Sequence, residues 1–165
     1  MKLLLLLVTV LVPHTAFCQT GEIANFDHWK IISLQGATAK RTVAPDGPSG
    51  KECLIIQIDK SGAGHLWFNQ LKYATRMEKG KKYLLKFSMK ADFDIAAPIY
   101  VSALLDVEPF TALAPPQKLK PHAEWQEFSY DFQPNAETPN ARIAFQLNVA
   151  GAKFYIADIT LTAIE

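Results

Sequence analysis

The chain has 165 residues, 17 Lys plus Arg against 16 Asp plus Glu, with 49% hydrophobic and 20% charged residues. That composition is ordinary for a folded domain, and the length suits one domain with a sizeable core. A formal charge of +1 excludes the basic excess that nucleic-acid binding needs. The basic clusters, Lys79 with Lys81 and Lys82, and Lys118 with Lys120, are short, so no nucleic-acid partner is expected.

Residues 1–18 carry Lys2, an apolar run from Leu3 to Val12, Pro13 and then small residues. This is the pattern of a secretory signal peptide. The run of about ten residues is too short for a transmembrane helix, which needs about 20. Cleavage between Cys18 and Gln19 places Ala16 and Cys18 at the small positions of the site. Lipidation at Cys18 is the rival, disfavoured by the bulky Phe17 before it. A secreted, periplasmic or extracellular location follows, with residues 19–165 as one mature domain and no later membrane anchor. Cys53 is then the remaining cysteine, so no disulfide framework is available, and its run Cys53-Leu54-Ile55-Ile56 reads as buried strand.

From Glu22 onward the pattern is short strands separated by turns. Trp29–Leu34 and Ala37–Val43 precede the turn cluster Pro45-Asp46-Gly47-Pro48-Ser49-Gly50. Cys53–Ile58 and His65–Tyr73 follow. Tyr83, Leu85, Phe87 and Met89 alternate with polar residues at period two. From Pro98, Ile99, Val101, Ala103 and Leu105 share one face, with Tyr100, Ser102, Leu104 and Asp106 opposite. Residues 108–122 read as a long Pro- and Ala-rich loop holding Phe110. Trp125, Glu127, Ser129 and Asp131 share a face opposite Gln126, Phe128, Tyr130 and Phe132. Ile143, Phe145 and Leu147 point inward, Ala144, Gln146 and Asn148 outward, and residues 153–162 form the last strand. About eight or nine such strands make an all-β sandwich of two antiparallel sheets.

Several of these pieces, in this order, resemble the carbohydrate-binding modules of families 4, 9, 16 and 22. They are Asn25-Phe26-Asp27 before Trp29, Pro45-Asp46-Gly47 leading into Cys53-Leu54-Ile55, Trp67-Phe68-Asn69-Gln70-Leu71, and Gly80-Lys81-Lys82-Tyr83. Trp125-Gln126-Glu127-Phe128, Ala141-Arg142-Ile143 and Phe154-Tyr155-Ile156-Ala157-Asp158 complete the series. The resemblance implies a galactose-binding-like jelly roll of the CenC type that binds a polysaccharide or glycan and performs no catalysis. Such modules are usually fused to a glycoside hydrolase, so a separate hydrolase or a cell-surface assembly is an implied partner. Trp125 matches the family's structural tryptophan, which implies a core position. The resemblance also implies one structural calcium ion, with Asp27, Glu52 and Asp158 near its place. The sequence departs there, because Ala157 stands where an acidic residue is usual.

Sugar binding needs flat aromatic faces and directional side-chain amides. The candidates are Trp67, Phe68, Gln70, Tyr100, Phe110, Gln146 and Asn148. Trp67 and Phe68 are adjacent, so one of them points into the core. Parity turns Tyr100, Ser102, Gln146 and Asn148 outward, and Phe110 is a rim aromatic. The ligand lies either across one sheet face or on the loops at the rim. A small jelly-roll hydrolase or polysaccharide lyase is the catalytic alternative, with Asp106 and Glu108, or Glu127 and Asp131, as spaced carboxylates. A protein–protein adhesion module on the same fold is the other. No G-x-S-x-G elbow or H-E-x-x-H motif is present, and His28, His65 and His122 lie far apart.

Overall fold

The computed structural model describes residues 21–23 and 25–164. The expected signal peptide and the Cys18–Gln19 junction lie outside them. Among the described residues eleven strands run β1 (Gly21–Glu22), β2 (Trp29–Ser33), β3 (Thr38–Ala44), β4 (Cys53–Lys60), β5 (Asn69–Met77) and β6 (Lys82–Ala91) in the first part. The second part holds β7 (Ile99–Leu105), β8 (Gln117–Leu119), β9 (Gln126–Phe132), β10 (Thr138–Gln146) and β11 (Lys153–Ile164). Among the described residues no helix is long and apolar enough to cross a membrane.

The strands form two antiparallel sheets. One has the order β3-β4-β11-β6-β9, with β1 added on β11, and the other has the order β2-β5-β10-β7-β8. Only β3–β4 and β7–β8 pair with their sequence neighbours. The other connections cross between sheets, which is the jelly-roll arrangement the sequence predicts. The crossing from β2 to β3 is a tight turn in which Ala37 N–H donates to Leu34 O at 3.0 Å. Its central residues, Gln35 and Gly36, have φ of 53° and 75°, both in the left-handed region that such a turn requires.

Period-two alternation decides what each sheet buries. Leu54, Ile56 and Ile58 of β4, Leu85, Phe87 and Met89 of β6, and Ile143 and Phe145 of β10 all point into one core. Phe87 meets Phe145 edge-on at 4.9 Å, joining the two sheets. Trp29 fills the β2 end: it is 1% exposed, packs on Tyr73 and Phe145, and donates its indole N–H to Ile23 O at 3.0 Å. Cys53 is buried as expected, and burial pushes its thiol pKa up.

Two readings are corrected here. Trp125 is not the core tryptophan. It sits half-buried on the outer face of the β6 sheet, with Lys90 Nζ 5.3 Å from its ring and Tyr155 at 6.5 Å. Trp29 holds the buried place. The long loop of residues 108–122 also contains β8, which pairs Gln117, Lys118 and Leu119 with Val101, Tyr100 and Ile99.

Candidate functional site

The outer face of the β2-β5-β10-β7-β8 sheet carries the residues that parity turns away from the core. Register aligns them in rows across the strands. Ile32, Gln70, Gln146, Tyr100 and Lys118 form one row, and Lys30, Lys72, Ala144 and Ser102 the next. Ala74, Arg142 and Leu104 form a third. A groove of about 760 Å³ crosses this face, walled by Ile32 and Leu34 on one side and Leu104 and Pro109 on the other. That volume lies within the usual range for a ligand cleft.

Two exposed aromatics stand over the groove, and each has a reason for its position. Trp67 lies in the short 3-10 helix Leu66–Phe68 that leads into β5 and is 42% exposed. His65 stacks on it at 5.2 Å and Phe68 meets it edge-on at 4.4 Å. These contacts fix the indole while part of it stays open. Phe110 lies in the β7–β8 loop and is 46% exposed. Its backbone φ of 54° and its N–H bond to Val107 O at 2.8 Å hold it in a turn. The Arg142 guanidinium carbon lies 5.2 Å from its ring centroid, a cation–π contact that leaves the rest of the ring to solvent.

The floor between them is polar and mostly buried, with Lys72 and Asp106 partly exposed. Gln146 Nε2 donates to Ser102 Oγ at 3.2 Å, and Gln70 Nε2 donates to Trp67 O at 2.6 Å. Asp106 accepts from Lys72 Nζ at 2.7 and 2.9 Å and from Arg142 Nη1 at 3.3 Å. Among the described residues, Gln70 Oε1 and Arg142 Nε in this floor, and Arg41 Nε in the other sheet, are buried without a side-chain or backbone partner.

The structure thus brings Trp67, Gln70, Phe110 and Gln146 around one groove. Tyr100 shares the face, one strand over, and does not line the groove. Phe68 and Asn148 are corrected. Phe68 is buried, with Gly62 so close that a Cβ there would meet its Cδ2 at 2.5 Å. Parity fails for it because a 3-10 helix turns three residues per turn, so Trp67 and Phe68 are not related as neighbours on a strand. Asn148 lies beyond the end of β10, and its amide is fully used. Its Oδ1 accepts from Gly62 N–H and Asn69 Nδ2, both at 2.9 Å. Its Nδ2 donates to Gly62 O at 2.9 Å and His65 O at 2.8 Å. It ties down the segment that carries Trp67.

Sequence reasoning missed Lys72 and Arg142 as groove residues and weighed Asp106 only as a catalytic carboxylate. The signal was available in parity, because Lys72 lies two residues after Gln70 and Arg142 four before Gln146. Glu127 and Asp131 fall on β9, in the other sheet.

The calcium expectation does not fit this arrangement. Among the described residues no group of three or more His, Cys, Asp or Glu side chains converges as a metal site requires. Asp158, at a φ of 50° in the bulge of β11, pairs with Lys51 Nζ at 3.0 Å. Asp27 belongs to the 3-10 helix Phe26–His28, where its N–H donates to Asn25 Oδ1 at 3.0 Å. Glu52 is exposed just before β4. A calcium ion wants about six to eight oxygens, and these three carboxylates do not supply a shared cage.

No protein-family model matches the chain, and no curated protein matches it. Solved structures do. A family 4 carbohydrate-binding module is similar at 24% identity, covering 89% of this chain and 94% of its own, with a TM-score of 0.70. The N-terminal cellulose-binding domain of Cellulomonas fimi β-1,4-glucanase C is similar at 15% identity over 88% of this chain and 97% of its own, TM-score 0.63. The CBM22-1 xylan-binding domain of Paenibacillus barcinonensis Xyn10C is similar at 11% identity over 87% and 90%, TM-score 0.59. At these identities the likeness shows the fold: the chain has the jelly-roll sandwich of the carbohydrate-binding modules, over nearly their whole length.

Proposed function

We propose that the protein is a secreted, non-catalytic carbohydrate-binding module that holds a poly- or oligosaccharide segment in the groove between Trp67 and Phe110. The carrying observation is the pairing of two exposed aromatics with a polar floor of Gln70, Gln146, Lys72, Asp106 and Arg142. Sugar rings present C–H faces that stack on aromatics and hydroxyls that meet amides and charges. The cellulose- and xylan-binding modules of like fold support the reading. From Arg142 to Gln146 the floor spans about 13 Å at 3.3 Å per strand residue, room for a short stretch of glycan. The module acts beside a separate glycoside hydrolase or in a cell-surface assembly.

The catalytic alternative loses support from Asp106, because both of its oxygens are engaged by Lys72. A nucleophile or proton donor needs a free oxygen toward the substrate. The test is affinity electrophoresis of residues 19–165 through cellulose derivatives, xylan, β-1,3-glucan, mannan and pectin. Retardation without release of reducing sugar is expected. Trp67→Ala and Phe110→Ala weaken it about tenfold or more, while Trp125→Ala, on the opposite sheet, leaves it unchanged. Equal retardation of all four proteins would refute the placement, and sugar release would restore the enzyme.

A further inference from the structure

The charges of the groove do not balance. Asp106 is a single carboxylate facing both Lys72 Nζ and Arg142 Nη1. One positive charge is left over where the side chains of Lys72 and Arg142 are only 21% and 8% exposed. Arg142 Nε adds a buried donor with no partner among the described residues. An uncompensated cation with little access to water is costly unless another anion meets it.

The imbalance extends along the face. The outward strand positions of this sheet carry Lys30, Lys72, Arg76, Lys118 and Arg142, and the carboxylate facing the groove, Asp106, lies just past the end of β7. Arg76 is paired with Glu137 at 3.4 Å. Lys30 sits opposite Lys72, and Lys118 opposite Tyr100; both lysines are exposed. Glu108 is the acid of the rim loop, exposed beside Pro109. Composition does not explain the excess, since the chain has 17 basic and 16 acidic residues. The surplus is a property of where strand parity puts them.

We infer that the groove takes an acidic glycan, one whose repeat carries a uronic-acid carboxylate. This rests on the groove being a glycan site and names the class of sugar. A carboxylate seated beside Lys72 and Arg142 completes two cations with two anions, and hydrogen bonds between ionised partners are stronger than those a neutral hydroxyl makes. A neutral glucan stacked on Trp67 and Phe110 instead covers the surplus charge and strips its remaining water. Lys30 and Lys118 raise the local concentration of a polyanion on either side of the groove.

The test is calorimetric titration of the protein with glucuronoxylan, polygalacturonate and alginate, each beside its own carboxyl-reduced product, and with dextran sulfate. At low salt at least one uronate polymer binds about tenfold or more tighter than its reduced form, and the gap narrows in about 1 M NaCl as exposed charges are screened. The double variant Lys30→Glu/Lys118→Glu, at exposed positions, lowers the ratio of acidic to neutral affinity several-fold. Equal binding of acidic and reduced forms overturns the charge assignment while the glycan reading stands. Dextran sulfate matching the best uronate polymer overturns the carboxylate and leaves a generic attraction to polyanions. Binding of none of these polymers in any form overturns this inference, and retardation by cellulose derivatives or β-1,3-glucan then decides whether the glycan reading survives without it.

Discussion

Asn148→Ala separates the residues that hold the groove from those that touch a ligand. In the native protein the amide makes four hydrogen bonds, to Gly62 N–H, Gly62 O, His65 O and Asn69 Nδ2. Three are partly shielded from water, and the bond to His65 O is exposed. At about 1 kcal/mol net for each shielded bond and close to zero for the exposed one, the loss is about 3 kcal/mol. With a urea dependence of about 2 kcal/mol per molar, the unfolding midpoint falls by about 1.5 M. Asn148→Asp costs at least as much, because it keeps the acceptor for Gly62 N–H and Asn69 Nδ2 but turns a second acceptor toward two carbonyls. Both variants also weaken glycan binding about three- to tenfold without touching the ligand, since His65 is freed and Trp67 loses the neighbour that orients it. A midpoint shift under about 0.3 M in either variant would refute the reasoning.

Gly62→Ala places a Cβ 2.5 Å from Phe68 Cδ2 and 2.9 Å from its Cβ and Cγ. Phe68 is buried and cannot swing away, so about 2 kcal/mol of stability is lost and the melting temperature drops about 4–8 °C; an unchanged melting curve would count against the packing described. Tyr130 is buried with its hydroxyl donating to Pro115 O at 2.8 Å, and burial pushes its pKa from 10.0 up to about 12. A raised folded pKa means that this contribution is whole below pH 10 and is lost as pH rises toward 12, at most about 2–3 kcal/mol. Denaturation across that range shows the slope, and Tyr130→Phe removes its share of it. Chelator leaves the melting temperature unchanged, because the Asp158 carboxylate takes Lys51 as its cation. A rise on adding calcium would show a site built largely from backbone oxygens.

Strand parity was the most reliable guide in the sequence, and it outperformed analogy where the two disagreed. The alternation around residues 125–132 placed Trp125 with Glu127, Ser129 and Asp131, on the polar side. Family resemblance argued for a core tryptophan instead. The structure follows the alternation, and Trp29 takes the core because its indole N–H finds the Ile23 carbonyl. The same alternation turned Gln146 outward correctly and had Asp106 on the right face. It failed at Phe68, where a 3-10 helix replaces the strand, and at Asn148, where β10 has ended and Leu147 N–H donates to Asn69 O at 2.8 Å. Both failures lie within two residues of a strand end, where period two no longer applies. The strand β8 was illegible for a different reason. Three residues in a Pro-rich loop carry no pattern of their own, and they are extended because β7 offers them partners.

What parity cannot supply is adjacency across strands. Lys72 stands on β5, Arg142 on β10 and Asp106 just past the end of β7, places that the chain order scatters, and they meet only because β10 inserts between β5 and β7. The groove's charge is therefore a product of topology acting on a nearly neutral sequence. That explains why composition excluded a nucleic-acid footprint and yet said nothing about an acidic sugar. A polynucleotide needs a basic excess over an extended surface. A uronate segment needs one surplus cation, partly dehydrated, between two rings.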